Sequence, residues 1–269
     1  MRRSVHLAVL ALPLAALLLA ACSSPTDRAV PTAPSAAGPS STDASVTGEV
    51  NVFAAASLKE TFTRLGTRFE STHPGTTVVF SFGPSSGLAT QINGGAPADV
   101  FASASATNMD QVVASAGAAD PAVFARNVME IAVPAANPAK VASVADLAKP
   151  QVKVALCQAA VPCGTVAARV LTNARITVKA VSEEVDVKSV LTKVSLGEVD
   201  AGVVYVTDVR TAGDKVTGIT IRPEVNASTS YPIAVLNKAV NAAGAKAFTD
   251  YVLSPEGATV MLDGGFAKP

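Results

Sequence analysis

The sequence predicts an α/β fold of two lobes, each a mainly parallel sheet flanked by helices. Three observations carry this expectation. From Gly48 onward, runs rich in β-branched residues alternate with segments of helical periodicity, the pattern of βα units. About ten strand-like runs occur, more than one small sheet requires, so two lobes are expected. The 269-residue chain is 49% hydrophobic and 16% charged, enough to bury a real core, yet only 4% aromatic and without Trp, which points to packing by alanine and valine. Crossings between the lobes are expected near Asn127 and Leu236. They divide the body into a first lobe of residues 48–127 plus 237–269 and a second of 128–236.

The elements follow in order. Val50–Phe53 reads as strand and Ser57–Ser71 as helix, with Leu58, Phe62, Leu65 and Phe69 at helical spacing. Ser57 is placed to cap that helix and Glu60 to sit in its positive first turn. Thr77–Phe82 is strand, and the turn Gly83-Pro84-Ser85-Ser86-Gly87 leads into a short helix through Leu88 and Ile92. Asp99–Ser103 is strand, Ala106–Ser115 helix, Val128–Val133 strand. Val144–Leu147 is a short helix and Val152–Leu156 a strand. Pro162–Thr172 is helix, Ile176–Val181 strand, Val185–Leu196 helix and Asp200–Val206 strand. Thr217–Ile221 and Pro232–Leu236 are further strands, and helices Ala242–Leu253 and Pro255–Asp263 close the chain.

Residues 1–21 carry a basic start, Arg2-Arg3, and an apolar run from Val5 to Ala21, the layout of a secretory signal peptide. Leu19-Ala20-Ala21-Cys22 resembles the bacterial lipoprotein box, which implies cleavage before Cys22 and lipidation of its sulfur. Residues 22–47 are rich in Ser, Pro, Ala and Thr and lack apolar periodicity, as expected of a flexible tether. The predicted location is the outer face of the cell membrane, with the lipid as anchor. Cys157 and Cys163 then remain as an even pair, for which a disulfide is expected in an extracytoplasmic body and two buried thiols are the alternative.

Charge and composition exclude several classes. Without Arg2 and Arg3 the mature chain has 19 basic and 21 acidic residues, a net charge of about −2. No basic run or aromatic–basic interleaving suits nucleic acid. His73 is the single histidine outside the signal and lies in the loop segment Ser71-Thr72-His73-Pro74-Gly75. Glu183-Glu184 are expected as charges in a helix's first turn. No metal or cofactor is expected, and an enzyme is not.

What the chain offers instead is a set of helix starts just beyond strands, where anions bind to backbone N–H groups. These are Ser57, Ser85-Ser86-Gly87, Val161-Pro162-Cys163-Gly164-Thr165 and Val185-Asp186-Val187-Lys188. Gly164 is expected to let a ligand approach the backbone. Tyr205 joins them at the end of a strand, where ligands collect in open α/β sheets.

Taken in order, Ala54-Ala55-Ala56-Ser57-Leu58, Ser85-Ser86-Gly87-Leu88-Ala89, Gly95-Ala96-Pro97-Ala98-Asp99-Val100-Phe101, Pro162-Cys163-Gly164 and Gly202-Val203-Val204-Tyr205-Val206-Thr207-Asp208 resemble the periplasmic molybdate-binding protein family, over essentially all of residues 48–269. The resemblance implies a type II periplasmic-binding-protein fold with an oxyanion in the cleft between lobes. It implies that Ser57 and Ser85 bind oxygens through hydroxyl and amide, Cys163 and Val187 through backbone amides, and Tyr205 through its hydroxyl. The match of Val187 rests on its spacing from Tyr205, and Cys163 stands where better-known relatives commonly carry a small non-thiol residue. The resemblance further implies a monomer that delivers molybdate or tungstate to an ABC permease. Another oxyanion such as sulfate is the alternative ligand. A carboxylate would call for an arginine fork, which these motifs lack.

Overall fold

A computed structural model describes residues 46–269 apart from position 116. The expected signal peptide, Cys22 and almost all of the tether lie outside the described residues. The first half runs β1 (Gly48–Ala55), α1 (Lys59–Thr72), β2 (Thr76–Gly83), α2 (Ser85–Asn93), β3 (Val100–Ala102) and α3 (Ala106–Ala114). The long strand β4 (Ala122–Pro134) leads into β5 (Val154–Cys157), α4 (Pro162–Asn173), β6 (Ser182–Glu184), α5 (Val187–Ser195), β7 (Ala201–Tyr205), α6 (Val206–Ala212) and β8 (Val216–Thr220). The chain then returns through β9 (Ser228–Val235) to α7 (Ala242–Leu253) and α8 (Pro255–Asp263).

The strands lie in the order β2-β1-β3-β9-β4-β7-β5-β6, with β8 also on β4. β1–β2, β1–β3, β5–β6 and β5–β7 are parallel, whereas β4 and β9 run antiparallel to every neighbour. β4 makes the join between the halves. Its residues 122–128 pair with β9, and from Met129 it pairs instead with β7 and, from Glu130, with β8. The first crossing therefore falls at Val128/Met129. The second differs from the expectation at Leu236: all of β9 pairs with β3 or β4 of the first sheet, so the chain has crossed back before Ser228. The strand-like run around Pro232 thus belongs to the first lobe.

Two kinds of core fill the halves. In the first, Leu58, just ahead of α1, and Phe62, Leu65 and Phe69 along it are fully buried, as their spacing requires. Phe62 meets Phe80, Phe124 and Phe248 with ring centroids 5.6–6.2 Å apart. The second core, under β4, β5 and β7, is mostly valine and alanine. The few aromatics are thus concentrated where α1 and α7 cover the first sheet. Asp99, from the quoted motif, is buried and structural. Its Oδ2 accepts from Asn51 N–H (2.8 Å) and its Oδ1 from Val240 and Asn241 N–H (2.6 and 3.1 Å), which ties β1 to the approach of α7.

Two local expectations fail for identifiable reasons. Residues 176–181 form no strand: Ile176 and Val178 pack on the second core, but in that run only Val181 N–H finds a β5 carbonyl, that of Val154 at 2.9 Å. Alternation reports one covered face, not a neighbouring strand. Glu183 and Glu184 belong to the short strand β6, and the helix starts later, at Val187, after Asp186 caps it.

Candidate functional site

One cavity collects all five predicted residues. Ala55, Ala56 and Ser57 line it from the end of β1, and Gly83, Pro84 and Ser85 from the end of β2. Val161, Pro162 and Cys163 contribute the start of α4, Asp186 and Val187 the start of α5, and Tyr205 the end of β7. The cavity measures about 20 Å³. On the same scale one water needs at least about 10–15 Å³, so the space suits a small ion and not a sugar or a peptide.

Each wall follows from local structure. Ser57 is not a helix cap: residues Ala56–Leu58 form a 3-10 turn and α1 starts at Lys59. Its hydroxyl instead lies 2.9 Å from the hydroxyl of Tyr231. If Tyr231 donates, the Ser57 proton is left for a ligand. Ser85 opens α2, and its Oγ accepts from Ala104 N–H at 3.0 Å, so its own proton is also available. In α4 the first helical bond is Thr165 N–H to Val161 C=O, so the Cys163 amide precedes the ladder. In α5 the Asp186 carboxylate takes Ser189 N–H at 2.9 Å, and Val187 N–H precedes the ladder likewise.

Tyr205 is the decisive side chain. It is 1% exposed and lines the cavity, and its hydroxyl, a neighbour of the Tyr231 hydroxyl, makes no well-aligned hydrogen bond among the described residues. Its N–H donates to Asp208 Oδ2 at 3.1 Å, which fixes the turn from β7 into α6. Burial pushes the Tyr205 and Tyr231 hydroxyls above the usual phenol range, so both stay protonated donors. Burial also pushes the Asp208 carboxyl up to about 6, against the pull of Lys188.

Sequence reasoning missed Tyr231, which reaches Ser57 from 174 positions away on β9. It also missed the ion cluster next to Val187, where Lys188 Nζ lies 2.8 Å from Glu60 Oε2 and 3.0 Å from Asp208 Oδ1. Asp186 adds an acidic residue to the lining, with its carboxylate turned to cap α5 through Ser189 N–H. Gly164 has a different role from the one expected. A Cβ there would fall 1.9 Å from the Gln158 carbonyl oxygen, so the glycine admits the chain's own backbone and not a ligand.

Cys157 and Cys163 are joined by a disulfide, with Cα atoms 5.8 Å apart. It closes the turn that presents the Cys163 amide. Replacing Cys157 with Ser is expected to lower stability by about 2 kcal/mol, the chain-entropy value for so short a loop, as read from denaturant midpoints.

Gly83-Pro84-Ser85-Ser86-Gly87 has the G-x-S-x-G spacing of a nucleophile elbow between strand and helix. A nucleophilic serine needs a base. His73 is not at the cavity: its ring stacks on Phe69 at 4.0 Å between centroids, and its Nδ1 lies 3.0 Å from Phe69 O and from Thr72 Oγ1.

Residues 50–267 match the family model of the bacterial extracellular solute-binding proteins. The chain belongs to that family. Members similar to it include the molybdate-binding protein ModA of Mycobacterium tuberculosis strain H37Rv, 44% identical over 220 residues, which span 81% of this chain and 84% of that protein. Among solved structures, the Azotobacter vinelandii periplasmic molybdate-binding protein aligns with a TM-score of 0.74 at 20% identity, covering 82% of this chain and 99% of that one. The sulfate-binding protein SubI of M. tuberculosis aligns with a TM-score of 0.72 at 17% identity, over 82% and 86% of the two chains. The type II periplasmic-binding-protein fold of this solute-binding protein is thus shared with proteins named for different oxyanions. Among the described residues no helix is long and apolar enough to cross a membrane.

Proposed function

We propose that this solute-binding protein captures molybdate, and tungstate, outside the cytoplasmic membrane and delivers it to an ABC permease. In this reading Cys22 carries a lipid anchor and residues 23–47 form the tether. The observation that carries the ligand assignment is the under-satisfied, buried Tyr205 hydroxyl aimed into a small cavity bounded by the 57, 85, 163 and 187 chain turns. Its support in kinship is the identity of 44% to a protein named for molybdate.

The binding chemistry follows from the donors. Molybdate and tungstate are fully deprotonated dianions at neutral pH, so every oxygen accepts. Ser57, Ser85 and Tyr205 would donate hydroxyl protons, and Cys163 and Val187 backbone amides, with the helix starts adding partial positive charge. Monohydrogen phosphate brings a proton of its own. A buried polar group facing a like group costs about 1–3 kcal/mol, which disfavours phosphate. The carboxylate of Asp186 is already engaged by Ser189 N–H.

Sulfate is the second reading, favoured by the fold shared with SubI and by its own full deprotonation. It is smaller, and the short side chains of Ala55 and Ala56 at the cavity wall leave room for a bulkier tetrahedron. Isothermal titration of the mature chain with molybdate, tungstate, sulfate and phosphate separates these. Dissociation constants of about 1 μM or less (near −8 kcal/mol) are expected for molybdate and tungstate, weaker binding for sulfate, and none for phosphate. No heat from molybdate, or tighter binding of sulfate, would overturn the assignment.

A further inference from the structure

The ion cluster beside the cavity joins the two lobes. Glu60 lies in the first turn of α1, on the first lobe. Lys188 is the second residue of α5 and Asp208 the third of α6, both on the second lobe. Lys188 Nζ contacts Glu60 Oε2 at 2.8 Å and Asp208 Oδ1 at 3.0 Å. The Asp208 side chain is fully buried, that of Lys188 is 19% exposed and that of Glu60 41%. A lysine in a helix's first turn is disfavoured by the helix dipole, so its placement here needs the two carboxylates.

We propose that Lys188 is a positioning residue that clamps the cleft shut over the ligand. The proposal rests on the oxyanion reading above. The Asp208 arm lies within the second lobe and survives any hinge motion, whereas the Glu60 arm spans the cleft and must break when the lobes part. Asp208 thus holds the ammonium in place, and Glu60 is the contact that opening removes. The adjoining Val187 contributes to the same cavity, so the clamp and the ligand close the same helix start onto the first lobe.

A contact made only in the closed form slows dissociation and leaves association nearly unchanged. Glu60→Gln is expected to speed molybdate release about two- to fivefold, the span of a partly exposed ion pair. Glu60→Lys, which sets two cations face to face, should do more. Release is read by intrinsic tyrosine fluorescence on dilution of loaded protein. Wild-type release should quicken as salt rises from low to high ionic strength, and Glu60→Gln should lose most of that dependence, which a packing defect would not produce. Unchanged release in both variants, or an effect confined to association, overturns the clamp. Should the wild type bind none of the four oxyanions, the ligand assignment fails on its own. Hydrogen exchange then still decides the clamp: faster exchange at residues 57–61 and 187–190 in Glu60→Lys supports it, and identical exchange overturns it.

Discussion

Gly164→Ala is expected to destabilise the chain by more than about 3 kcal/mol and to abolish oxyanion binding. The added Cβ would lie 1.9 Å from Gln158 O, 2.6 Å from Gln158 C and 2.9 Å from Cys157 O, all backbone atoms. Those atoms cannot yield easily. Gln158 N–H is bonded to Glu184 O at 2.8 Å, Gln158 O accepts from Val161 N–H at 3.1 Å, and Cys157 is tied to Cys163 by the disulfide. The start of α4 must therefore move, and it carries the Cys163 amide. Gly87→Ala is the control: its Cβ would meet only Pro84 Cγ, at 3.3 Å, inside α2. There the change should be neutral or stabilising by up to about 1 kcal/mol, the helix preference for Ala over Gly. Thermal midpoints and molybdate titrations of the pair check both. A Gly164→Ala protein as stable as wild type, and still binding, would show that the turn has slack the structure denies it.

That glycine marks where sequence reading stops. Ser57, Ser85, Cys163 and Val187 stand out in the sequence at helix starts and Tyr205 at a strand end, but grouping them into one ligand set comes from the family resemblance, with Val187 placed by its spacing from Tyr205. The structure brings all five to one cavity. What the residues do there was less legible. Ser57 reads as a cap, yet its partner is Tyr231, 174 positions away. Gly164 reads as open space for a ligand, yet the space is filled by Gln158. The Glu60–Lys188–Asp208 cluster joins three helices whose relation only the tertiary fold sets. In the fold, buried periodic segments such as α1 are plain in the sequence, while the strand pattern of β4 shows only from Val128 although the strand starts at Ala122. Its first six residues alternate poorly because a bulge between Val123 and Ala125 shifts the register. The return crossing falls before Ser228 and not at Leu236, a difference the sequence hides because a strand's residues do not reveal which sheet it joins.

Tyr205→Phe is expected to weaken molybdate binding roughly ten- to hundredfold, the worth of one hydrogen bond to a charged acceptor, while the ligand-free protein becomes no less stable. The opposite signs are the point. In the free chain the Tyr205 hydroxyl is buried with no well-aligned partner, only the neighbouring Tyr231 hydroxyl, and an under-satisfied buried hydroxyl costs about 1–3 kcal/mol. Phenylalanine removes that penalty and keeps the ring, which meets Tyr231 at 6.3 Å between centroids. The Asp208 contact is also kept, because it is made by the backbone N–H of residue 205. Only the donor aimed into the cavity is lost. Ligand-free melting temperature and the molybdate dissociation constant, measured on the same preparation, separate the explanations. Lower affinity with an equal or higher melting temperature makes Tyr205 a ligand donor. Lower affinity with a lower melting temperature would make the hydroxyl structural, and unchanged affinity would remove Tyr205 from the site and leave its buried, under-satisfied oxygen without a purpose.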